Sequence, residues 1–216
     1  MMELLVRAWP LLETAVPMTL FLGLSSFCLG SVLGLVIAFL RLARARLIRW
    51  TAFAYVSVFR GTPLLVQMLL IYFGLPRLGL TLDPLSSAIL ALTLFSAAYL
   101  SENFRAGILS VDSGQWEAAA SLGMDRYRTI SRIILPQALR IALPPVGSRL
   151  IALMKDTSLA SAITVVEVTR VAEQVGAASF RYLEMFLIAG AIYWIINQFL
   201  TVAQMLLEQR LSKHVQ

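Results

Sequence analysis

Between Met18 and Leu40 the chain runs through 23 residues without a single charge. A stretch of about 20 predominantly apolar residues is long enough to cross the hydrocarbon core of a bilayer as an α-helix. Similar apolar runs recur at Thr51–Leu75, Leu85–Leu109 and Leu183–Leu207, and a further segment begins near Gln137. Backbone polar groups in lipid must be satisfied internally, so these runs predict helices. The expected fold is all-α: a polytopic membrane protein with five transmembrane helices, forming one membrane domain over 1–216. Composition agrees, because only 14% of residues are charged, against roughly 25% in soluble domains. Met1–Thr14 reads as an amphipathic lead-in with Trp9 at the interface.

The net charge of +6 is carried almost wholly by arginine, Lys155 and Lys213 being the only lysines. A basic balance can signal nucleic acid, but loops rich in Arg and Lys mark the cytoplasmic side of a membrane protein. The loop after the first run holds Arg41, Arg44, Arg46 and Arg49. The polar insert after the third holds Arg126, Arg128 and Arg132, whereas "PRLGLTLD" holds only Arg77. This bias places the N-terminus outside and the C-terminus in the cytoplasm, and nucleic acid is not an expected partner. Cys28 reads as a small buried apolar residue and His214 as a solvated residue of the polar tail. Neither belongs to a metal-ligand pattern. Gly23, Gly30 and Gly34 can admit a close neighbouring helix or simply face lipid.

The insert over about 112–136 reads as a helical hairpin. Asp112 and Ser113 offer a helix start and Glu117 falls in the opening turn. Ala118, Ala119 and Ala120 favour helix with a low-profile surface. Gly123 supplies a left-handed stop, Asp125 a second cap and Pro136 a break before the membrane segment resumes. That next segment is expected to be interrupted by Pro144, Pro145, Gly147 and Arg149. At "KDTS", residues 155–158, it either breaks to line a site or ends with its charges at the outer interface.

Glu-Ala-Ala, Gly123 six residues after the Glu, and Ile133-x-Leu135-Pro136 together resemble the "EAA" loop of permease subunits in bacterial ABC importers. The segments "FRGTPLLVQMLLIYFGLP", "AAYLSENFRAGILSVDSGQWEAAASLGM" and "LMKDTSLASAI" resemble the polar amino-acid subfamily, with 59–76 and 114–136 nearest to cystine-type permeases. The resemblance implies a bacterial cytoplasmic (inner) membrane location. It also implies a second permease chain, identical or related, two ATP-binding subunits and an extracytoplasmic substrate-binding protein. The insert's first helix would be the coupling helix, with Glu117, Ala118, Ala119, Gly123, Met124 and Asp125 meeting the ATPase. ATP and Mg would be bound by that partner, because this chain lacks a phosphate-cradling Gly-x-x-x-x-Gly-Lys-Ser/Thr loop. No catalytic constellation, cofactor box or metal cluster is expected, so the chain reads as a transport subunit and not an enzyme.

Charged groups inside a membrane are functional candidates. Arg60 stands beside Gly61-Thr62-Pro63, where Pro63 should kink the second run. It could instead pair with Glu102, which also has Arg105 at i+3. Arg149 could snorkel to the interface. A zwitterionic amino acid needs a partner for each of its charges. Lys155 could meet the carboxylate, and Glu102 or Asp156 the ammonium, while Thr62, Gln67, Thr157 and Ser158 offer neutral hydrogen bonds. Glu167, Arg170 and Glu173 form either a solvated face, an outer gate or a docking site for the binding protein. The rival readings are a membrane scaffold, sensor or channel subunit docking a cytoplasmic partner through the 117–136 hairpin.

Overall fold

The computed structural model describes residues 2–212; the tail from Lys213, with His214, lies outside the described residues. Those residues form helices and turns, with no strand. The first helix, α1, spans Met2–Arg41 without a break. At about 1.5 Å per residue it is about 60 Å long, twice a bilayer's hydrocarbon thickness. The expected separate lead-in is therefore the first part of α1. Leu4, Ala8, Leu12 and Ala15, at helical spacing, are buried in a cluster with later segments of the chain. Packing holds that face of the stretch, while Trp9 lies on the exposed face.

Helix α4 (Pro84–Leu109) runs parallel to α1: Ser26 meets Ile89, Gly30 meets Thr93 and Ser96, and Gly34 meets Ala97 and Leu100. A Cβ on Gly34 would stand 3.0 Å from the Ala97 carbonyl oxygen. Two of the three glycines thus admit α4, and Gly23 faces Met154. Small residues at the seam suit a membrane, where helix contact depends on close packing. Cys28 lies on the opposite side of α1 and is exposed, with Phe21, Leu24, Leu29 and Val32, contrary to the buried reading.

The run expected to span Thr51–Leu75 is two helices, α2 (Arg46–Gly61) and α3 (Leu64–Leu69). The chain bends by 107° between them, far beyond a kink. Pro63 lacks an N–H and forces Thr62 into extended backbone, φ −121° and ψ 148°. Gln67 repairs the break: its amide nitrogen donates to the Phe59 carbonyl at 2.9 Å and the Thr62 carbonyl at 3.1 Å. A π turn (Leu70–Gly74) and a 3-10 turn (Leu75–Leu78) follow.

After α4 come α5 (Ser113–Ser121), α6 (Arg126–Thr129) and α7 (Leu135–Asp156). Pro136 does not break the chain's course. A π turn over Ile130–Ile134 joins α6 to α7, with the Leu135 N–H donating to the Ile130 carbonyl. That wider turn absorbs the proline. Nor do Pro144 and Pro145 interrupt α7. Their own carbonyls accept from Gln204 and Asn103 side chains, each at 3.1 Å, so neighbouring helices brace the weakened turn. Beyond Asp156 the helix tightens into a 3-10 segment, Thr157–Ile163. Helices α8 (Val168–Ser179) and α9 (Tyr182–Ser212) complete the described chain and share the core of the N-terminal half of α1.

Among the described residues three helices are long and apolar enough to cross a membrane: Ala8–Arg41, Pro84–Leu109 and Tyr182–Arg210. The bent pair α2–α3 makes up to four. Helix α7 is not in that set, since it carries Arg140, Arg149, Lys155, Asp156 and three prolines.

Candidate transport and coupling sites

The hairpin follows its sequence closely. The Asp112 carboxylate accepts the Gly114 N–H at 2.7 Å and caps α5. At the other end the Met124 N–H reaches the Ala119 carbonyl and the Gly123 N–H the Ala120 carbonyl, both at 3.0 Å. This is a Schellman closure, and Gly123 has the left-handed φ of 68° that it requires. Asp125 then caps α6 through the Arg128 N–H at 2.9 Å. Glu117 is the fifth residue of α5, outside its first turn, so the dipole argument does not apply to it. Glu117, Ala118, Gly123 and Asp125 are exposed, Met124 is half-buried, and Ala119 is wholly buried. Ala119 therefore seats the helix on its own chain. Leu122 and Tyr127, 78% and 80% exposed, crown the tip.

The root of the hairpin is apolar. Val111, Ile134 and Ala138 are buried together, with Ile108, Trp116 and Ile133 packed around them. A hydrogen bond from Gln137 to Gln115 adds a polar tie at 3.3 Å. The hairpin is thereby joined to the end of α4 and the start of α7.

The candidate intramembrane residues fall into two groups. In the first, a cavity of about 420 Å³ is lined by Arg41, Phe53, Arg60, Tyr99 and Glu102 among others. Glu102 pairs with Arg41 and with Arg105, at 2.8 Å for the latter. Arg60 does not pair with Glu102; its guanidinium lies over the Tyr99 ring at 5.0 Å. In the second group Arg149 donates to Asp156 at 2.9 Å, and its side chain is only 9% exposed. It does not snorkel: it also lies 4.8 Å from the Tyr99 ring and 5.0 Å from that of Phe95. The carboxylate and the aromatic rings together offset the cost of a buried guanidinium. Lys155 is exposed, and Thr157 and Ser158 donate to carbonyls of their own helix at 2.8 and 2.7 Å. Thr62 donates to the Val58 carbonyl at 2.8 Å while accepting from Gln67 at 2.8 Å. Both of those side chains are engaged in holding the α2–α3 bend.

Tyr99 links the two groups, carrying a guanidinium from each. Sequence reasoning missed it, as it missed Phe95 and Arg41. The available signal was the spacing Phe95, Tyr99, Glu102, which places two rings and a carboxylate on one face of α4.

Glu167 overturns the solvated-face reading. Its side chain is fully buried and caps α8, accepting the Thr169 and Arg170 N–H groups at 2.9 and 2.8 Å and the Tyr193 hydroxyl. Arg170 and Glu173 do form a half-exposed pair at 3.2 Å. Glu167→Ala is expected to lower the thermal stability of the purified protein by at least about 2 kcal/mol, because it orphans several buried donors. Glu167→Gln, which keeps an acceptor, should recover part of that loss.

Residues 30–213 match the family of binding-protein-dependent transport system inner membrane components. The chain belongs to this family. It is 44% identical over 208 residues to the L-cystine transport system permease protein of Bacillus subtilis, covering 96% of this chain and 89% of that protein. It is 43% identical to the nopaline transport system permease protein of Agrobacterium fabrum, covering 99% and 92%. A crystal structure of an amino acid ABC transporter with histidines superposes with a TM-score of 0.90 at 37% identity, covering 95% of this chain and 96% of that one. The fold is thus the membrane permease fold of that family, all-helical over the described residues.

Proposed function

We propose that this chain is the permease subunit of an ATP-driven importer for polar amino acids and moves its substrate by alternating access. One observation carries the reading. The helices that bracket the exposed hairpin, α4 and α7, are the same helices that carry Tyr99, Glu102, Arg149 and Asp156. A force on Glu117–Asp125 would pass through the apolar root into both helices and change the spacing of the charged cluster. The family and its relatives support a separate ATPase as the source of that force, with ATP and Mg held there, and a binding protein as the source of substrate. A second permease chain, identical or related, would complete the path.

The arginines of the α1–α2 turn and of the hairpin gather at one end of the bundle, which supports placing that end in the cytoplasm, with the N-terminus outside and the C-terminus inside. Helix α7 would then be the fifth span, with its Arg149–Asp156 pair turned into the bundle. Substrate is proposed as a polar amino acid, with L-cystine the narrower reading. Relatives named for L-cystine and nopaline are nearly equally similar, so a ligand screen on the cognate binding protein is the direct test of that narrower choice.

For the cluster, Arg60→Gln and Lys155→Ala are expected to lower uptake into proteoliposomes about tenfold, the value of a charge-assisted hydrogen bond to a substrate carboxylate. Assembly with the ATPase should be unchanged. Wild-type kinetics in both variants would remove these residues from the path.

A further inference from the structure

A cavity of about 600 Å³ opens where α1 and α4 end, between the α1–α2 turn and the hairpin. Phe39, Leu42, Ile108 and Leu109 are among its apolar walls, and Arg44 and Arg126 stand in its lining with no carboxylate. The same two arginines, with Trp116, line a second hollow of about 310 Å³ beside it. Both arginines are exposed, and neither is in an ion pair among the described residues. The volume falls within the range of about 300–1,000 Å³ typical of ligand pockets.

The lining constrains the occupant. A soluble anion would meet the guanidiniums and leave the apolar walls wet. A neutral lipid would cover the walls and leave two cations without a partner. The cavity also lies at the ends of two apolar helices, the depth at which a lipid presents its phosphate above its acyl chain. We propose that this cavity binds one anionic phospholipid, with its phosphate between Arg44 and Arg126 and an acyl chain against Ile108 and Leu109. The lipid would tie the α1–α2 turn to the hairpin. Cationic side chains near a membrane surface attract anionic lipid, each contributing about fivefold in affinity.

The test is native mass spectrometry of the complex purified with its co-purifying subunits and titrated with phosphatidylglycerol or phosphatidylcholine. Phosphatidylglycerol is expected to saturate at one molecule per permease chain and to bind at least about fivefold more tightly than phosphatidylcholine. Arg44→Gln should weaken it about fivefold, and Arg44→Lys should retain it. Ala43→Trp, which fills the cavity from the turn, should abolish it. Equal binding of the two lipids, or wild-type titration by Arg44→Gln, would overturn the proposal. So would a photo-crosslinker at Leu109 that captures a partner subunit in place of lipid.

Discussion

Gly123→Trp is expected to cut ATP-driven uptake in proteoliposomes at least about tenfold while the permease still assembles. Two properties of the position lead to this. Its φ of 68° is costly for an L side chain, about 1–2 kcal/mol, so the hairpin closure is strained. Apart from its chain neighbours, no atom lies within 4 Å of a Cβ built there, so a side chain leaves the backbone into open space at the tip. Whatever the tip docks against must then accommodate it. Gly123→Asn separates the two effects, because asparagine tolerates left-handed backbone and adds little bulk. Uptake by Gly123→Asn should stay near wild type, with ATP hydrolysis still coupled to transport. Normal uptake by the tryptophan variant would remove the hairpin tip from the energy-coupling path.

Gly107→Leu is expected to have the largest effect on folding. A Cβ at Gly107 would stand 2.6 Å from the Ala138 carbonyl oxygen and 2.9 Å from the Ala142 Cβ. The first of these is backbone of α7 and cannot rotate away. Overpacking against backbone falls at the upper end of about 1–3 kcal/mol, which for a chain of this size lowers Tm by about 6 °C or more. Loss of folded protein on size-exclusion in detergent would be the stronger form of the same result. Gly23→Ala provides the contrast. Its neighbour is the flexible tip of the Met154 side chain, which can swing aside, so only a small shift is expected. A melting temperature for Gly107→Leu within a degree or two of wild type would mean that α4 and α7 do not approach this closely.

The hairpin was the most legible part of the chain because each of its signals is local. Asp112, Gly123 and Asp125 act on backbone groups within five residues, so their positions alone specify the caps and the stop. The prolines were read less well. A proline alone says that a hydrogen bond is missing, but not what replaces it. At Pro63 a nearby side chain, Gln67, stabilises a 107° bend. At Pro144 and Pro145 residues 42 to 60 positions away repair a helix that stays straight enough to continue. At Pro136 a π turn takes up the strain.

The charged candidates divide along the same line. The Glu102–Arg105 pair was visible as an i, i+3 spacing and is present. Its second partner, Arg41, comes from the end of α1 and could be found only once α1 and α4 lay side by side. Glu167 looked like part of a solvated face because its neighbours are charged. Its burial comes from elements packed around the start of α8: Tyr193 of α9 donates to Glu167 itself, and Thr19 of α1 accepts the neighbouring Val168 N–H.

Sequence by itself determined the helical class, the membrane setting, the hairpin and the family likeness, because each follows from hydropathy or from contacts a few residues apart. Tertiary structure decided which residues share a surface: Tyr99 between Arg60 and Arg149, Glu167 inside α8's cap, and the cavity beside Arg44 and Arg126. Those juxtapositions join distant segments, and they depend on glycine-sized gaps and crossing directions that local spacing does not encode.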